Sequence, residues 1–192
     1  MTTRKNYRIT EQLRQHLTMA SAVHLACEPS TAPDNPGLAD LRTRLAGTNI
    51  NEKTLLATDY LNHFNELVMV LDLIPDMPDC LQDAREWVPK SYEEHFADSQ
   101  FSDATLAIEA YAIAPSEYKV PFETTVERLN RYIPRFLDRI EDAIKTGNAG
   151  FLIHEKATAS QTLQRLMDVV SALINGEKPT MDQESVDALL DI

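Results

Sequence analysis

Hydrophobic residues recur every three or four positions along most of this chain, which is the spacing of an amphipathic α-helix. The pattern predicts four long helices, over residues 10–27, 51–73, 122–145 and 154–174. The third of them carries a heptad-like seam that suits packing on other helices, formed by Phe122, Val126, Leu129, Ile133, Phe136 or Leu137, Ile140 and Ile144. We therefore expect an all-α fold, a helical bundle of about four long helices, in which this seam also allows a homodimer.

Proline, glycine and capping residues indicate where shorter elements begin and end. Short helices are predicted between the long ones, at residues 38–46, 80–88, 91–96 and 102–113, with connectors at 28–37 and 114–121. Ser91 and Glu94 have the spacing of a capping box. Pro134 is expected to kink or split the third long helix, and Asn175 with Gly176 is expected to end the fourth.

The last residues of the sequence form a separate amphipathic segment. The stretch Asn-Gly-Glu-Lys-Pro at 175–179 precedes it, and Thr180 and Gln183 have capping-box spacing. One face of a helix in this segment would carry three apolar side chains, Val186, Leu189 and Leu190. A short acidic helix of this kind suits a partner's groove. We therefore predict a helical bundle domain at residues 1–175, followed by a linker and a partner-binding tail helix at 176–192.

The chain is acidic, with a formal net charge of −12 over 192 residues. Proteins that bind nucleic acid present a basic stripe to the phosphates, and here the basic residues form only one small cluster, at 4–8. An anionic membrane is disfavoured for the same reason, and the longest apolar-leaning stretch, at 67–74, is too short to span a bilayer. We therefore expect neither a nucleic acid nor a membrane as partner.

Cysteine and glycine content limits the chemistry further. The two cysteines, Cys27 and Cys80, match no metal or redox spacing, and we expect them in the core of a protein of the reducing cytoplasm. The N-terminus has charges but no apolar core, so no signal peptide is predicted. Five glycines are too few for phosphate loops, nucleophile elbows and dinucleotide fingerprints, and no cofactor is expected.

The tail segment resembles a peptide of bacterial chemotaxis. Its sequence looks like the C-terminal peptide of the chemotaxis phosphatase family CheZ at six positions, Gln183, Val186, Asp187, Leu189, Leu190 and Asp191. The run from Asp187 to Leu190 is also similar to the end of the N-terminal peptide of the flagellar switch family FliM. Both peptides bind the phosphorylated response regulator CheY. The resemblance implies a cytoplasmic signal-transduction protein whose partner is a receiver-domain response regulator of the chemotaxis or flagellar type.

A second resemblance, upstream of the tail, allows phosphatase activity. CheZ-family proteins carry an Asp-x-x-x-Gln motif whose glutamine orients the water that attacks the regulator's aspartyl phosphate. Gln161 falls on that glutamine, but Ala157 stands at the aspartate position. A related phosphatase family uses Glu-x-x-Asn, and Glu127 and Asn130 have that spacing. Whether the chain is an enzyme stays open, with Gln161 as the candidate catalytic residue.

The segment at 58–66 offers a third interpretation. Asp59, His63 and Glu66 follow one another at i, i+4 and i+7, so on a helix they would lie within one narrow arc. An imidazole between two carboxylates suits a metal-binding helical enzyme, or a general base with a raised pKa. The alternative is that His63 borders the apolar face of its helix and that its two acidic neighbours point to solvent.

Overall fold

The computed structural model describes residues 36–177. The chain divides into two compact units, Met1–Leu38 and Ala39–Ile192, and the described helices belong almost wholly to the second. Within the described residues the fold is all-α, as the sequence predicts, and it contains no strand. None of the helices in that range is both long enough and apolar enough to cross a lipid bilayer.

Residues 36–177 form seven α-helices and one 3-10 helix. In chain order they are α1 (Pro36–Leu45), the 3-10 helix (Thr58–Leu61), α2 (Asn62–Leu73), α3 (Cys80–Glu86), α4 (Tyr92–Asp98), α5 (Ala104–Ala112), α6 (Ser116–Thr146) and α7 (Ala149–Ile174). The 31-residue α6 and the 26-residue α7 pack along each other as a hairpin. Helix α2 packs on α7, and α3 contacts both α2 and α6.

The core is built from the apolar stripes that the sequence predicts. On α6 the seam is buried from Phe122 to Ile140, and Ile144 is only partly covered. On α7 the predicted stripe is buried throughout, at Ala159, Leu163, Leu166, Val170 and Leu173. Full burial of one large apolar side chain contributes about 1.5–3 kcal/mol, so this hairpin carries much of the apolar stabilisation. Cys80, which was expected in the core, is a free thiol and only partly buried.

The predicted long helix at 51–73 is wrong in its first half. The chain instead forms a loop at 51–57, followed by the 3-10 helix, and α2 starts only at Asn62. The predicted helix at 10–27 lies outside the described residues. The described part of the bundle therefore has two long helices, α6 and α7, where the sequence pattern predicts three.

Hydrogen bonds from a side chain to the backbone explain the loop at 51–57. The Asn51 Oδ1 accepts the N–H groups of Lys53 and Thr54 at 2.9 and 3.0 Å. Such a local turn competes with helix formation. Leu55 then has a φ of 61°, outside the right-handed helical region, while its side chain is buried. Helical spacing of apolar residues is therefore not sufficient for a helix here.

Helix α6 begins earlier than predicted and continues through two prolines. The connector predicted at 114–121 is wrong from its third residue onwards, because the helix already starts at Ser116. Pro121 and Pro134 both lie inside the helix, so a split at Pro134 is also wrong. Each proline lacks the N–H that would donate to the carbonyl four residues back. Burial of the apolar face of α6 against α7 keeps the helix continuous despite these two missing bonds.

Glycine and asparagine residues set the ends of the two long helices. Gly147 takes a left-handed φ of 66° directly after α6. The Asn148 Oδ1 accepts the Phe151 N–H at 3.0 Å and caps α7, which therefore begins earlier than predicted. As predicted, α7 ends at Asn175 and Gly176, and Gly176 has a φ of 68°.

The loop at 51–57 also holds the end of α7. The Thr54 Oγ1 donates to the Ile174 carbonyl at 2.5 Å, and the Lys53 Nζ donates to the Gly176 carbonyl at 3.2 Å. These bonds satisfy carbonyl groups that a helix end leaves without intrahelical donors. The last described residues after α7 are thus held against the loop at 51–57.

Candidate functional site

The residues that the resemblance to chemotaxis proteins singles out lie in two places. Those of the tail lie outside the described residues: Gln183, Val186, Asp187, Leu189, Leu190 and Asp191. Gln161 lies on α7 with an exposed side chain, and Ala157, one turn earlier, is half-buried. On the same helix Gln164 donates to Asp168 at 3.1 Å. Gln161 is therefore accessible from solvent, but no acidic side chain stands where the CheZ motif has aspartate.

The structure separates the three residues of the alternative metal set. Asp59 lies in the 3-10 helix, whereas His63 and Glu66 lie on α2. His63 is only 5% exposed, and Glu66 is exposed. Among residues 36–177 no group of three His, Cys, Asp or Glu side chains could hold a metal ion. The expectation that His63 borders the apolar face is wrong as well, because the residue is inside the core.

His63 belongs to a buried aromatic cluster. Its imidazole stacks on the indole of Trp87, with ring centroids 4.5 Å apart and 25° between the planes. The Trp87 Nε1–H donates to the His63 carbonyl at 2.9 Å. The rings of Phe64 and His95 lie 5.6 and 6.0 Å from the imidazole. The His63 Nε2 is buried and has no hydrogen-bond partner in the described part of the chain.

Burial decides the charge of this histidine. Burial, with smaller contributions from His95 and Lys90, lowers the pKa of His63 from 6.5 to about 4. A hydrogen bond to the Val88 carbonyl acts in the opposite direction. Burial also lowers the pKa of His95. Both imidazoles are therefore neutral at pH 7, and the general base with a raised pKa that the sequence allows at His63 is wrong.

A cavity of about 520 Å³ lies between the start of α4 and one face of α6. Three tyrosines and three glutamates contribute to its lining, Tyr60, Tyr92, Tyr111, Glu93, Glu123 and Glu127. We refer to it as the tyrosine cavity. Its α6 wall is formed by residues spaced three to four apart, because these share one face of a helix. The opposite wall comes from the first turn of α4 and the segment before it.

A capping box fixes the first turn of α4. The Ser91 Oγ accepts the Glu94 N–H at 3.2 Å, and the Glu94 carboxylate accepts the Ser91 N–H at 2.8 Å. The sequence predicts this box, and the structure confirms it. Tyr92 and Glu93 lie between the two capping residues, so the box sets the position of both side chains at the cavity.

Stacking and hydrogen bonds hold the three tyrosines in place. Tyr92 and Tyr111 stack with ring centroids 4.3 Å apart and 11° between the planes. The Tyr60 hydroxyl donates to the Lys90 carbonyl at 2.8 Å, and the Tyr111 hydroxyl donates to Glu123 at 2.7 Å. The aromatic part of the cavity wall is thus held in place, since each tyrosine ring has a specific partner.

The phenols are neutral groups at physiological pH. Burial raises the pKa of Tyr60, Tyr92 and Tyr111, and the carboxylate of Glu93 contributes to each of the three shifts. The Ala57 N–H, which donates to the Tyr92 hydroxyl at 2.8 Å, acts against the shift at that residue. Glu93 therefore lies near enough to all three rings for its charge to be felt at each of them.

The rim of the tyrosine cavity is acidic. Glu93 and Glu127 are exposed, and neither carboxylate has an ion pair or hydrogen bond with another residue of the described range. Lys90 also lines the cavity, but its Nζ lies 2.8 Å from the carboxylate of Asp98. The lining therefore carries negative charge that its own lysine does not neutralise.

Asn130 lines both the tyrosine cavity and a smaller cavity. The second cavity has a volume of about 230 Å³, and Trp87 and Pro134 contribute to its lining together with Asn130. The Asn130 Oδ1 is buried and has no hydrogen-bond partner among residues 36–177. Because Pro134 has no N–H, the Asn130 carbonyl also loses its α-helical donor. Asn130 therefore carries acceptor oxygens without donors beside both cavities.

The sequence pattern did not predict the tyrosine cavity. It singled out Glu127 and Asn130 only for their motif-like spacing. The available signal was the recurrence of polar residues at Glu123, Glu127 and Asn130, directly beside the apolar seam of α6. The tyrosines and Glu93 come from segments far away in sequence, so only the tertiary fold brings them to the same place.

The fold and this site define an all-α protein with an acidic, tyrosine-lined cavity beside a long helical hairpin. Comparison with known proteins finds no family model, no curated protein and no solved structure that matches the chain.

Proposed function

We propose that this protein is a signalling interaction protein, which binds a receiver-domain response regulator of the chemotaxis or flagellar type through residues 180–192. The proposal depends on one observation, the six tail positions that resemble the regulator-binding peptide of the CheZ family. In support, α7 ends at Ile174 and the chain turns at Gly176, so the resembling segment follows directly after the last described helix.

Recognition would depend on an apolar face with acidic flanks. Val186, Leu189 and Leu190 would enter an apolar groove of the regulator. Asp187 and Asp191 would meet basic residues of the regulator and set the orientation and rate of association. Folding of the tail on binding costs conformational entropy, so we expect a dissociation constant of about 1 μM or weaker.

The direct test titrates the intact protein into receiver domains from the same genome, with and without a phosphate mimic, and follows binding by NMR. Combining Leu189→Ala with Leu190→Ala should weaken binding at least about tenfold, because each change removes apolar contact area. Ala188→Ser lies on the opposite side of the predicted helix and should change binding little. Equal binding by the double variant, or no binding to any receiver domain, would contradict the proposal.

A second candidate function is removal of the phosphate from that regulator. The exposure of Gln161 on α7 favours it, because a neutral amide at the surface can orient water for in-line attack on an aspartyl phosphate. The products would be inorganic phosphate and the free aspartate. Gln161→Ala should return phosphate release to the regulator's intrinsic rate, whereas Gln164→Ala should not. Accelerated release that survives Gln161→Ala excludes this role for Gln161.

A further inference from the structure

We propose that the tyrosine cavity binds an organic cation, an alkylguanidinium or alkylammonium group, whose N–H donors pair with Glu93, Glu127 and Asn130. This site is independent of the tail and of response-regulator binding. Three features of the described residues support it: carboxylates without counter-charge at the rim, a buried acceptor without a donor, and aromatic walls.

The carboxylates of the rim favour a positive charge in the cavity. Glu93 and Glu127 have no ion-pair partner within the described range, and Glu123 adds a third carboxylate to the wall. Lys90 is paired with Asp98 at 2.8 Å. An anionic ligand would be repelled, whereas a cation gains Coulomb attraction that is stronger in a partly desolvated site than in bulk water.

The buried oxygen of Asn130 requires a hydrogen-bond donor. Its Oδ1 has no partner in the part of the chain that the structure describes, and an unpaired buried acceptor is unfavourable. Guanidinium and ammonium groups carry several N–H donors and no acceptor. One such group can bond to a carboxylate of the rim and, once the half-buried Asn130 amide rotates towards the cavity, also to its Oδ1, whereas a neutral donor would leave the charges of Glu93 and Glu127 unmatched.

The shape of the cavity selects an extended cation. Its volume of about 520 Å³ is typical of small-molecule sites. Among residues 36–177 no three metal-ligating side chains converge on one point, so the separate acceptors suit a polyatomic cation better than a single ion. Tyr92 and Phe122 provide apolar surface for an alkyl stem.

The first experiment uses the full-length protein with butylguanidinium and its neutral isostere butylurea, followed by calorimetry and NMR shift changes. Butylurea should bind at least about fivefold more weakly than butylguanidinium, because it lacks the charge. Raising sodium chloride from about 50 to about 500 mM should weaken binding of the cation by screening. Equal affinity for both probes, or no saturable binding of butylguanidinium up to about 10 mM, overturns the proposal.

The same chemistry can come from a free amine or from a basic side chain of another protein. Putrescine and agmatine represent the free amines, and acetyl-Gly-Arg-Gly-amide represents an arginine side chain. Tighter binding of the amines assigns the cavity to a small molecule, and tighter binding of the peptide assigns it to an arginine. Leu189→Ala should bind every probe like the wild type, which separates this result from that of regulator binding.

Substitutions at the rim distinguish this cavity from other acidic surfaces of the protein. Glu93→Gln and Glu127→Gln keep the size of two exposed side chains and remove their charge. Each should weaken butylguanidinium binding about two- to fivefold, and the two together about tenfold. Asp142→Asn removes a charge from the same helix, about 22 Å from Glu127, and should leave binding unchanged. If the double variant is folded, as judged by circular dichroism, and still binds butylguanidinium with wild-type affinity, the proposal is overturned.

Discussion

The imidazole of His63 stacks on the indole of Trp87 at a centroid distance of 4.5 Å, and the same indole donates its N–H to the His63 carbonyl at 2.9 Å. This pair joins the first turn of α2 to the segment that follows α3. Because burial lowers the pKa of His63 to about 4, the imidazole is neutral at pH 7. It therefore packs as an aromatic core residue until acid protonates it.

Stability should fall between pH 6.5 and pH 4 because of this histidine. The unfolded chain binds a proton on the imidazole below pH 6.5, whereas the folded protein resists protonation down to about pH 4. The free energy of unfolding should therefore decrease as the pH falls through this window, by about 3 kcal/mol from His63. The lowered pKa of His95 acts in the same direction. Urea unfolding at a series of pH values measures the slope.

The variant His63→Phe tests whether this histidine causes the pH dependence of the free energy of unfolding. Phenylalanine keeps an aromatic ring against Trp87 and cannot take up a proton. The decrease in the free energy of unfolding on acidification should therefore be smaller in this variant than in the wild type. If His63→Phe shows the same pH dependence as the wild type, the imidazole does not couple to folding.

The ion pair between Arg139 and Glu155 should contribute measurably to the α6–α7 hairpin. Arg139 donates to the two carboxylate oxygens at 2.7 and 3.2 Å, and Glu155 is only 5% exposed. Glu155→Gln removes the charge-assisted bonds from a buried position, so the free energy of unfolding should fall by about 2 kcal/mol. Glu109→Gln, in an exposed pair with Arg44, should have a much smaller effect. An equal loss in both variants would contradict the prediction.

The hydroxyl of Thr54 should stabilise the end of α7. Thr54 is fully buried, and its Oγ1 donates to the Ile174 carbonyl at 2.5 Å. Thr54→Val keeps the shape but leaves that carbonyl without its donor, so we expect a loss of about 1–3 kcal/mol in thermal or urea unfolding. Thr43→Val removes an exposed hydroxyl that donates to Ala39 within α1, and it serves as the control. Similar stability of the two variants would show that the buried bond is not important.

Two glycines with left-handed backbone should differ in their tolerance of a methyl group. Gly147 has a φ of 66° and open space where a Cβ would lie, so Gly147→Ala should cost about 1 kcal/mol. Gly176 has a φ of 68°, and its Cβ would lie 3.2 Å from side-chain atoms of Lys53 and Thr54. Gly176→Ala should therefore be the more destabilising of the two in a melting experiment. The reverse order would mean that the contact with Thr54 relaxes freely.

The sequence predicts best the parts of the fold where one apolar stripe is long and uninterrupted. On α6 and α7 the stripes extend over many turns, so the propensity of single residues, even Pro134, does not change the outcome. At 51–57 the same spacing misleads, because Leu55 and Leu56 are buried in a loop rather than on a helix. The side chain of Asn51 decides that conformation through two short-range bonds. Apolar periodicity does not report such bonds.

The candidate site is less predictable than the fold for a different reason. The capping residues Ser91 and Glu94 are recognisable in sequence, because a capping box is a local pattern. The proximity of Glu93 to Tyr111 and Glu127 arises only in the tertiary fold, because α4 and α6 face each other across the cavity. The role of His63 also depends on the fold. On an exposed helix face a histidine could be a metal ligand, whereas here His63 is buried and stacks on Trp87.

The loop at 51–57 is attached to its surroundings at two points, Thr54 and Ala57. Thr54 holds it to the last turn of α7, and Ala57 holds it to the hydroxyl of Tyr92 in the wall of the tyrosine cavity. Two direct hydrogen bonds therefore connect this short loop to the end of α7 on one side and to the cavity wall on the other. A substitution that removes the first bond, such as Thr54→Val, is therefore expected to affect both the end of α7 and the position of the Tyr92 ring.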